Sequence, residues 1–319
     1  MSNFITAPIN ENGIILDGDI GGIVKDAMAP PFRFTDVFVY SHGWWTNAIA
    51  AAADYNRFSV EFTRRLLLIG EAPPTLPRLP ASAFAAAVHW PSMLSEDQGS
   101  ITNYLEALSF YSMAKRADIV GEHGVYSLLR MIFETIGGMA SPPSLRLHLL
   151  GHSFGCRVVC AALEQIAQNK IAVPASVTLD AVLLQAAFNN DELEPNGLYG
   201  DVPQLSLRVL VTRSDGDTSL GRWYPIAEKL VNLFSAHPVV ALGAAGPSAP
   251  TQALFGGAGA VAVPPGFTYR AVVPLGQRLV VADLSPLHAA AGPGDSFSGH
   301  HSDIYHDEIY QLIAGFLFK

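Results

Sequence analysis

Residues 145–163 read LRLHLLGHSFGCRVVCAAL, and this stretch changes from one backbone repeat to another within a few residues. Its first part has leucine at positions 145, 147 and 149, the alternation of a strand. Its last part has the apolar repeat of a helix, at Val158, Val159, Ala162 and Leu163. The pentapeptide Gly151-His152-Ser153-Phe154-Gly155 lies between them, so it predicts a sharp turn from strand into helix with Ser153 at its tip.

A serine at the tip of such a turn is typical of a nucleophile elbow. The turn pushes the serine Oγ out of the sheet, and it brings helix and strand so close that the positions two before and two after tolerate little beyond glycine. Gly151 and Gly155 occupy those two positions. We therefore predict that Ser153 is a catalytic nucleophile, the alternative being a glycine-rich turn with an idle serine.

Strand-like and helix-like segments alternate along the rest of the chain. Strands are predicted at 36–41, 83–90, 145–150, 178–184, 207–212 and 278–283, with an edge hairpin at 13–16. Helices are predicted at about 55–69, 105–136, 154–168, 220–234 and 304–318. This order predicts an α/β fold with a mostly parallel central sheet and helices on both faces, in a single domain over residues 1–319.

Three segments fall outside this alternation, and any of them could cover a site. Residues 71–80 are rich in Pro and are expected to form a connection. Residues 95–124 contain several aromatics and the pair Gly121 and Gly124, which we expect to break the predicted helix in two. Residues 241–265 are rich in Ala, Gly and Pro and are expected to form a long excursion or mobile loop.

The composition excludes several partners. The net charge is −9 and the isoelectric point is near 5.5, which disfavours nucleic acid and anionic membrane surfaces. The chain has no run of eighteen apolar residues, and its first residues lack the basic and apolar regions of a secretory signal. Cys156 and Cys160 stand four apart on one helical face and are predicted to be reduced core residues. These features together predict a cytoplasmic protein and leave its oligomeric state open.

A serine nucleophile needs a base, and the base needs a carboxylate to orient it. The predicted strand 207–212 leads into a turn with two carboxylates, Asp215 and Asp217. We choose Asp217 as the orienting acid and keep Asp215 as the alternative, since an Asp in a turn also has structural uses.

Three histidines follow the last predicted strand, at positions 300, 301 and 306. We choose His301 as the base, with His300 in reserve, because Ser302 and Asp303 can cap a helix beginning near residue 304 and would leave His301 on a short loop. His306 is expected at the surface of the first helical turn. The group lacks a recognisable metal-ligand spacing, so no metal is expected.

Attack by a serine creates an oxyanion, which needs backbone donors close to the serine. The predicted strand 36–41 ends in His42-Gly43-Trp44-Trp45, where an early loop can turn N–H groups toward the nucleophile. We predict the oxyanion hole at the amides of Trp44 and Phe154. The substrate pocket is predicted to involve His42, Gly43, Trp45 and His152, although the tryptophans could simply pack in the core.

With these motifs the chain resembles the α/β-hydrolase superfamily over nearly its whole length. The resemblance rests on His42-Gly43-Trp44, the elbow, the turn with Asp215 and Asp217, and the late His301, which together give the chain order Ser, Asp, His. Trp90-Pro91-Ser92 and SFYSMAKRADIVGEHG at 109–124 are similar to a group of bacterial esterase and lipase-like hydrolases.

The resemblance implies a serine carboxylic-ester hydrolase that forms an acyl-enzyme on Ser153. It implies no metal and no organic cofactor. Small-molecule or polymeric esters are the implied substrates. Two other functions stay open: a non-catalytic binding protein of the same fold, since fold alone does not fix function, and an acyltransferase or cofactor-free haloperoxidase that uses the same three residues.

Overall fold

The computed structural model describes residues 4–18, 20–28, 34–44, 48–70, 83–92, 103–225, 240–268, 273–274, 276–295 and 298–318. The strands among these residues are β1 (Phe4–Pro8), β2 (Asp36–Ser41), β3 (Ala83–His89), β4 (Leu145–His152), β5 (Val177–Leu184), β6 (Leu207–Arg213), β7 (Ala258–Ala262) and β8 (Leu279–Asp283). The α-helices are α1 (Ile20–Met28), α2 (Ala48–Gly70), α3 (Asn103–Ile119), α4 (Tyr126–Gly137), α5 (Gly155–Gln168), α6 (Leu242–Ala245), α7 (Ala249–Leu254), α8 (Ser285–Ala291) and α9 (Asp307–Leu317).

The strands form one parallel sheet in the order β1-β3-β2-β4-β5-β6-β8-β7. The six strands predicted from the sequence are present, and the α/β class is confirmed. The strands β1 and β7 were not predicted. β7 consists of Ala, Gly and one Val, residues that mostly have low strand propensity. At the predicted edge hairpin, Ile9 and Ile15 form a single antiparallel bridge around Gly13, whose φ is +75°.

Helices cover both faces of the sheet, and each face has its own apolar core. One core joins the sheet to α1, α3, α4 and α5, and it includes Leu149 and Val158. The other joins the sheet to α2 and α9, and it includes Leu150, Phe62 and Ile313. Successive residues of β4 therefore point into opposite cores, as the two-residue repeat of a strand requires.

The carboxyl ends of the central strands meet at one edge of the sheet. Ser41 of β2 pairs with Gly151 of β4, Gly151 pairs with Leu183 of β5, and Leu183 pairs with Val211 of β6. The loops that follow this row are consequently neighbours in space, although they are far apart in the sequence. This edge is where open α/β sheets bind their ligands.

A network of polar side chains, buried at Asp36, His148 and Asp180, couples the same four strands nearer their amino ends. The ring nitrogens of His148 lie 2.9 Å from Asp36 Oδ1 and 3.0 Å from Asp180 Oδ2. Arg146 also binds Asp36, at 2.7 Å, and Arg208 binds Asp180, at 2.7 Å. Because a slip of one residue would move every one of these side chains to the wrong face, the network helps specify the register of β2, β4, β5 and β6.

The helix predicted at 105–136 is observed as α3 and α4, joined by a π-helical turn at Val120–Val125. Gly121 lies in this turn against α5, where an added Cβ would lie 2.7 Å from Ala161 Cβ. The chain therefore continues from α3 into α4 through a π-helical turn that contains both glycines, where the sequence predicted a break. The excursion predicted at 95–124 is helical from residue 103 onward, and its first residues lie outside the described part of the chain, as does the connection predicted at 71–80.

The segment 241–265, predicted to be a long excursion or mobile loop, has regular secondary structure. This segment contains α6, α7 and the edge strand β7, in which Gly259 pairs with Val280 of β8. The Ala and Gly residues of β7 have little strand propensity of their own, so β7 forms through its hydrogen bonds with β8.

The prediction that Cys156 and Cys160 are reduced core residues is confirmed. Both are free and buried in α5, and Cys156 Sγ lies 3.1 Å from the carbonyl oxygen of Gly151. Among the described residues, no helix combines the length and apolar character needed to cross a membrane.

Candidate active site

The predicted turn from strand into helix is present at Ser153. β4 ends at His152, α5 begins at Gly155, and Ser153 between them has a φ of +56°. A serine is rarely found in this left-handed region, and such strain is common at functional sites. The surrounding backbone holds the conformation: the amide of Ser153 donates to Leu184 O at 3.0 Å, and the amide of Ala187 donates to Ser153 O at 3.3 Å.

The two flanking glycines leave room for this turn, as predicted. A Cβ on Gly151 would lie 2.6 Å from the amide nitrogen of Cys156, in the first turn of α5. A Cβ on Gly155 would collide with the carbonyl oxygen of Ser41 and lie 2.7 Å from that of His42. Any larger residue at either position would separate α5 from the strands and displace the serine.

Ser153, His301 and Asp217 are linked by hydrogen bonds. His301 Nδ1 lies 2.7 Å from Asp217 Oδ2, and His301 Nε2 lies 2.8 Å from Ser153 Oγ. Because a carboxylate only accepts, Nδ1 carries the proton and donates it to Asp217, while Nε2 accepts from the serine hydroxyl. This arrangement can take the proton from Ser153 Oγ as the oxygen attacks an electrophilic carbon.

Asp217 is fully buried and well supplied with donors. Besides His301, it accepts from the amide of Leu220 at 2.9 Å and from Gln185 Nε2 at 3.3 Å. Asp215 has a different environment: its side chain is 75% exposed and lies 3.2 Å from Arg213. Of the two carboxylates that follow β6, the structure therefore places Asp217 beside the histidine and Asp215 at the surface.

His300 points away from the serine. Its Nδ1 lies 2.6 Å from Asp303 Oδ2, its Nε2 lies 2.8 Å from the carbonyl oxygen of Gly292, and its ring stacks on His288 at 4.7 Å. The side chains of these two neighbouring residues thus point in opposite directions, and of the two only His301 reaches Ser153.

The prediction that a helix begins near residue 304 is wrong. The C-terminal helix α9 begins at Asp307, and the residue at its N-cap is His306, which is partly buried. Asp303 does not cap this helix, since its carboxylate binds His300. In the part of the chain that the structure describes, no group of three or more His, Cys, Asp or Glu side chains is arranged to hold a metal ion.

The loop after β2 lies directly against the nucleophile. A Cβ on Gly43 would lie 2.8 Å from Ser153 Cβ, so this position needs a residue without a side chain. The indole of Trp44 packs on the ring of Phe154, with the centroids 6.1 Å apart. Within the described part of the chain, the amide of Phe154 donates to no other group, which leaves it available to an oxyanion. Trp45 lies outside the described residues.

His42 is buried, with both ring nitrogens engaged by the protein. The amide of Trp90 donates to Nε2 at 3.4 Å, so Nδ1 carries the proton and donates to the carbonyl oxygen of Gly43 at 2.8 Å. The ring stacks on Trp90 at 5.4 Å. Burial lowers the pKa of His42 to about 4, so the side chain is neutral near pH 7. The contacts of His42 help to hold Gly43 over Ser153.

His152 directs its ring toward the histidine loop. Its Nε2 lies 2.9 Å from the carbonyl oxygen of His301, and the two rings are 5.1 Å apart. Burial and the neighbouring His301 lower the pKa of His152 to about 3. His152 therefore stays neutral near pH 7, and its Nε2–H donates to the carbonyl.

Gln185 is a site residue that the sequence analysis missed. It directly follows β5, is fully buried, and has a φ of +46°. Its Nε2 lies 3.3 Å from Asp217 Oδ2 and 2.9 Å from the carbonyl oxygen of His300. A polar residue directly after a run of apolar strand residues, at the carboxyl end of a parallel strand, is a pattern that could have indicated it.

No known family matches this chain in a scan against protein-family models, and a search of curated proteins gives no match.

Proposed function

We propose that this chain is a serine hydrolase that cleaves carboxylic esters through an acyl-enzyme on Ser153. The observation that carries the proposal is the geometry of one serine: it has a left-handed backbone conformation at the start of α5, and its Oγ lies 2.8 Å from His301 Nε2. The carboxylate of Asp217, 2.7 Å from Nδ1, orients that histidine. Serine, histidine and carboxylate in this order are the parts of a nucleophilic triad.

The proposed reaction has two halves. Ser153 Oγ attacks the ester carbonyl carbon while His301 Nε2 takes the hydroxyl proton, and the tetrahedral adduct then expels the alcohol, which receives that proton. Water attacks the acyl-serine in the second half: His301 takes a proton from the water and returns it to Ser153 Oγ as the carboxylic acid leaves. Asp217 stays ionised throughout and stabilises the imidazolium that forms in each half.

The oxyanion of each tetrahedral adduct needs donors that are already in place. We assign this role to the amides of Phe154 and Trp44. The amide of Phe154, which binds no group among the described residues, directly follows the nucleophile. Trp44 follows Gly43, the residue in contact with Ser153, which supports the second assignment. Gly43 remains a proposed lining residue of the substrate pocket, and Trp45 stays a prediction. The rings of His42 and His152 bind the protein instead, at the carbonyl oxygens of Gly43 and His301.

The arrangement of the loops supports the α/β-hydrolase fold in particular. In that fold the nucleophile lies at a strand-to-helix turn, one oxyanion donor follows the nucleophile and the other follows an early strand, and the acid and histidine come later in the chain. Here Ser153 follows β4, Asp217 follows β6 and His301 follows β8, so the three occur in the same chain order. The loop with the second proposed oxyanion donor follows β2. A cytoplasmic location belongs to the same proposal and is supported by the two free, buried cysteines.

The test combines covalent labelling with ester hydrolysis. A fluorophosphonate probe should label Ser153 with one equivalent, as read by peptide mass spectrometry, and p-nitrophenyl esters of graded acyl length should be hydrolysed. Ser153→Ala should abolish labelling and lower kcat by about three decades or more. Ser127→Ala is the matched control, because within the described part of the chain Ser127 Oγ binds only the carbonyl oxygen of His123, on an exposed helix surface.

The other outcomes are equally informative. An unlabelled protein would refute the assignment and favour a binding protein, whereas labelling of another serine would move the nucleophile to that residue. If Ser153 is labelled and the acyl group of an ester substrate is transferred mainly to an added alcohol instead of water, the protein is an acyltransferase. A hydrolase should give the acid as the main product.

A further inference from the structure

We infer that His152 and Gln185 are positioning residues that together hold the loop carrying His301. The inference rests on the proposed function for its catalytic meaning. His152 Nε2 lies 2.9 Å from the carbonyl oxygen of His301, and Gln185 Nε2 lies 2.9 Å from that of His300. Two side-chain donors thus bind consecutive carbonyls of one loop. We call this pair of contacts the carbonyl clamp.

The clamp is anchored on the rigid part of the molecule. His152 is the last residue of β4 and pairs with Leu184, the last residue of β5, which Gln185 directly follows. Both donors therefore stand on neighbouring central strands. The loop they bind contains no helix or extended strand between Ser298 and His306, and its Gly299, with a φ of +61°, forms a single bridge with Asp217. The two side-chain contacts tie this loop directly to the sheet, in addition to its backbone contacts with the turn of Asp217.

The backbone conformation of Gln185 indicates that its side chain is needed at this position. A φ of +46° favours glycine, yet a large residue is present and is fully buried. Its Oε1 is buried and accepts no hydrogen bond from the described residues. Exchanging the amide oxygen and nitrogen would turn the oxygen toward two acceptors, the carbonyl of His300 and the carboxylate of Asp217. The strained backbone and the unpaired oxygen are both unfavourable. The amide nitrogen offsets them by binding both loops of the site.

The clamp explains how His301 keeps its direction between two partners. Gln185 joins the loop of the histidine to the carboxylate of Asp217, and His152 joins the same loop to the elbow, since it directly precedes Ser153. A shift of about 1 Å in the histidine would lengthen the contact to Ser153 Oγ, and misplacements of this size are costly in catalysis.

The test uses variants that remove one donor while keeping the size of the side chain. His152→Phe keeps a ring and loses the N–H, and Gln185→Met keeps the length and loses the amide. His152→Gln is the rescue variant, because the glutamine Nε2 reaches about as far as the histidine Nε2. His123→Phe and Gln204→Met are matched controls. His123 is exposed, and the Gln204 side chain lies at the surface, where Asp201 is its one hydrogen-bond partner among the described residues.

Two measurements on the full chain decide the inference. The first is hydrogen exchange in peptides covering 298–303, which should become about tenfold faster in His152→Phe and Gln185→Met and stay unchanged in α5. The second is the rate of Ser153 labelling and kcat, which should each fall about tenfold or more with KM within about twofold. His152→Gln should bring the exchange rate and the activity back to within about threefold of wild type. The double variant should lose less activity than the product of the two single losses, because both donors hold one loop.

Failure of the inference differs from failure of the proposed function. If the wild-type chain is not labelled at Ser153, the proposed function fails, and the exchange measurement alone decides whether the clamp holds the loop. If the wild-type chain is labelled but the two donor variants exchange and react like the controls, the clamp is refuted. A His152→Gln variant as impaired as His152→Phe would also refute the role of the N–H.

Discussion

Replacing Asp217 by asparagine tests the arrangement most directly, because the structure specifies what an amide would meet. The carboxylate accepts three hydrogen bonds, from His301 Nδ1, Gln185 Nε2 and the amide of Leu220, and its side chain has no exposure. An amide has only one acceptor oxygen. If this oxygen faces His301 and Gln185, the NH2 group opposes the amide of Leu220. If it faces Leu220, the NH2 group donates to His301 Nδ1 and forces the proton onto Nε2, which then cannot accept from Ser153.

Both orientations are expected to be costly. With the oxygen toward His301, the histidine keeps its tautomer, but the imidazolium formed during reaction loses its counter-charge. Two unit charges about 4 Å apart interact by about 4 kcal/mol at an effective dielectric constant of about 20, which corresponds to about a thousandfold in rate. With the NH2 group toward His301, the wrong tautomer adds to this loss. We therefore expect Asp217→Asn to lower kcat by about three to four decades.

The assay is kcat on a p-nitrophenyl ester that the wild-type protein hydrolyses, with thermal unfolding to check that the variant is folded. Asp215→Asn is the matched control, since Asp215 is exposed and lies beside Arg213. We expect its kcat to stay within about twofold of wild type. The reasoning is wrong if folded Asp217→Asn keeps more than a tenth of the activity, or if Asp215→Asn loses as much.

Three further predictions concern neighbouring positions. His301→Gln should abolish nearly all activity, whereas His300→Gln should keep most of it, because its ring binds Asp303 and Gly292; the reverse ranking of kcat would make His300 the base. Gly43→Ala should lower kcat at least about tenfold in a folded protein, since its Cβ would lie 2.8 Å from Ser153 Cβ, while Gly221→Ala, with nothing within 4 Å, should behave as wild type; equal activities would show that the loop simply moves aside. Burial lowers the pKa of His288 to about 4, so the unfolded chain binds a proton there that the folded chain does not, and stability should fall as pH drops from about 6.5 to 4; His288→Gln should make that fall shallower by about one proton, and an unchanged slope in urea unfolding would contradict the burial argument.

The elbow could be predicted from sequence because its requirements are local. The strand repeat before Ser153, the helical repeat after it and the two flanking glycines all act within a few residues, and the observed turn meets each of them. The six predicted strands were found for a similar reason, since each is a short apolar run between turn-forming residues. β7 could not be found this way, because its Ala and Gly residues form a strand only through pairing with β8.

The sequence by itself determined where the chemistry-bearing residues could lie: a serine after one strand, two carboxylates after a later strand, and histidines after the last. Only the tertiary structure chose among them, placing Asp217 and not Asp215, and His301 and not His300, in the chain of contacts to Ser153. The choice depends on loop directions that strand register and long-range hydrogen bonds set, such as the contact of Gln185 with the carbonyl of His300, 115 residues away. Periodicity carries no information about such contacts, because it describes each residue only relative to its near neighbours.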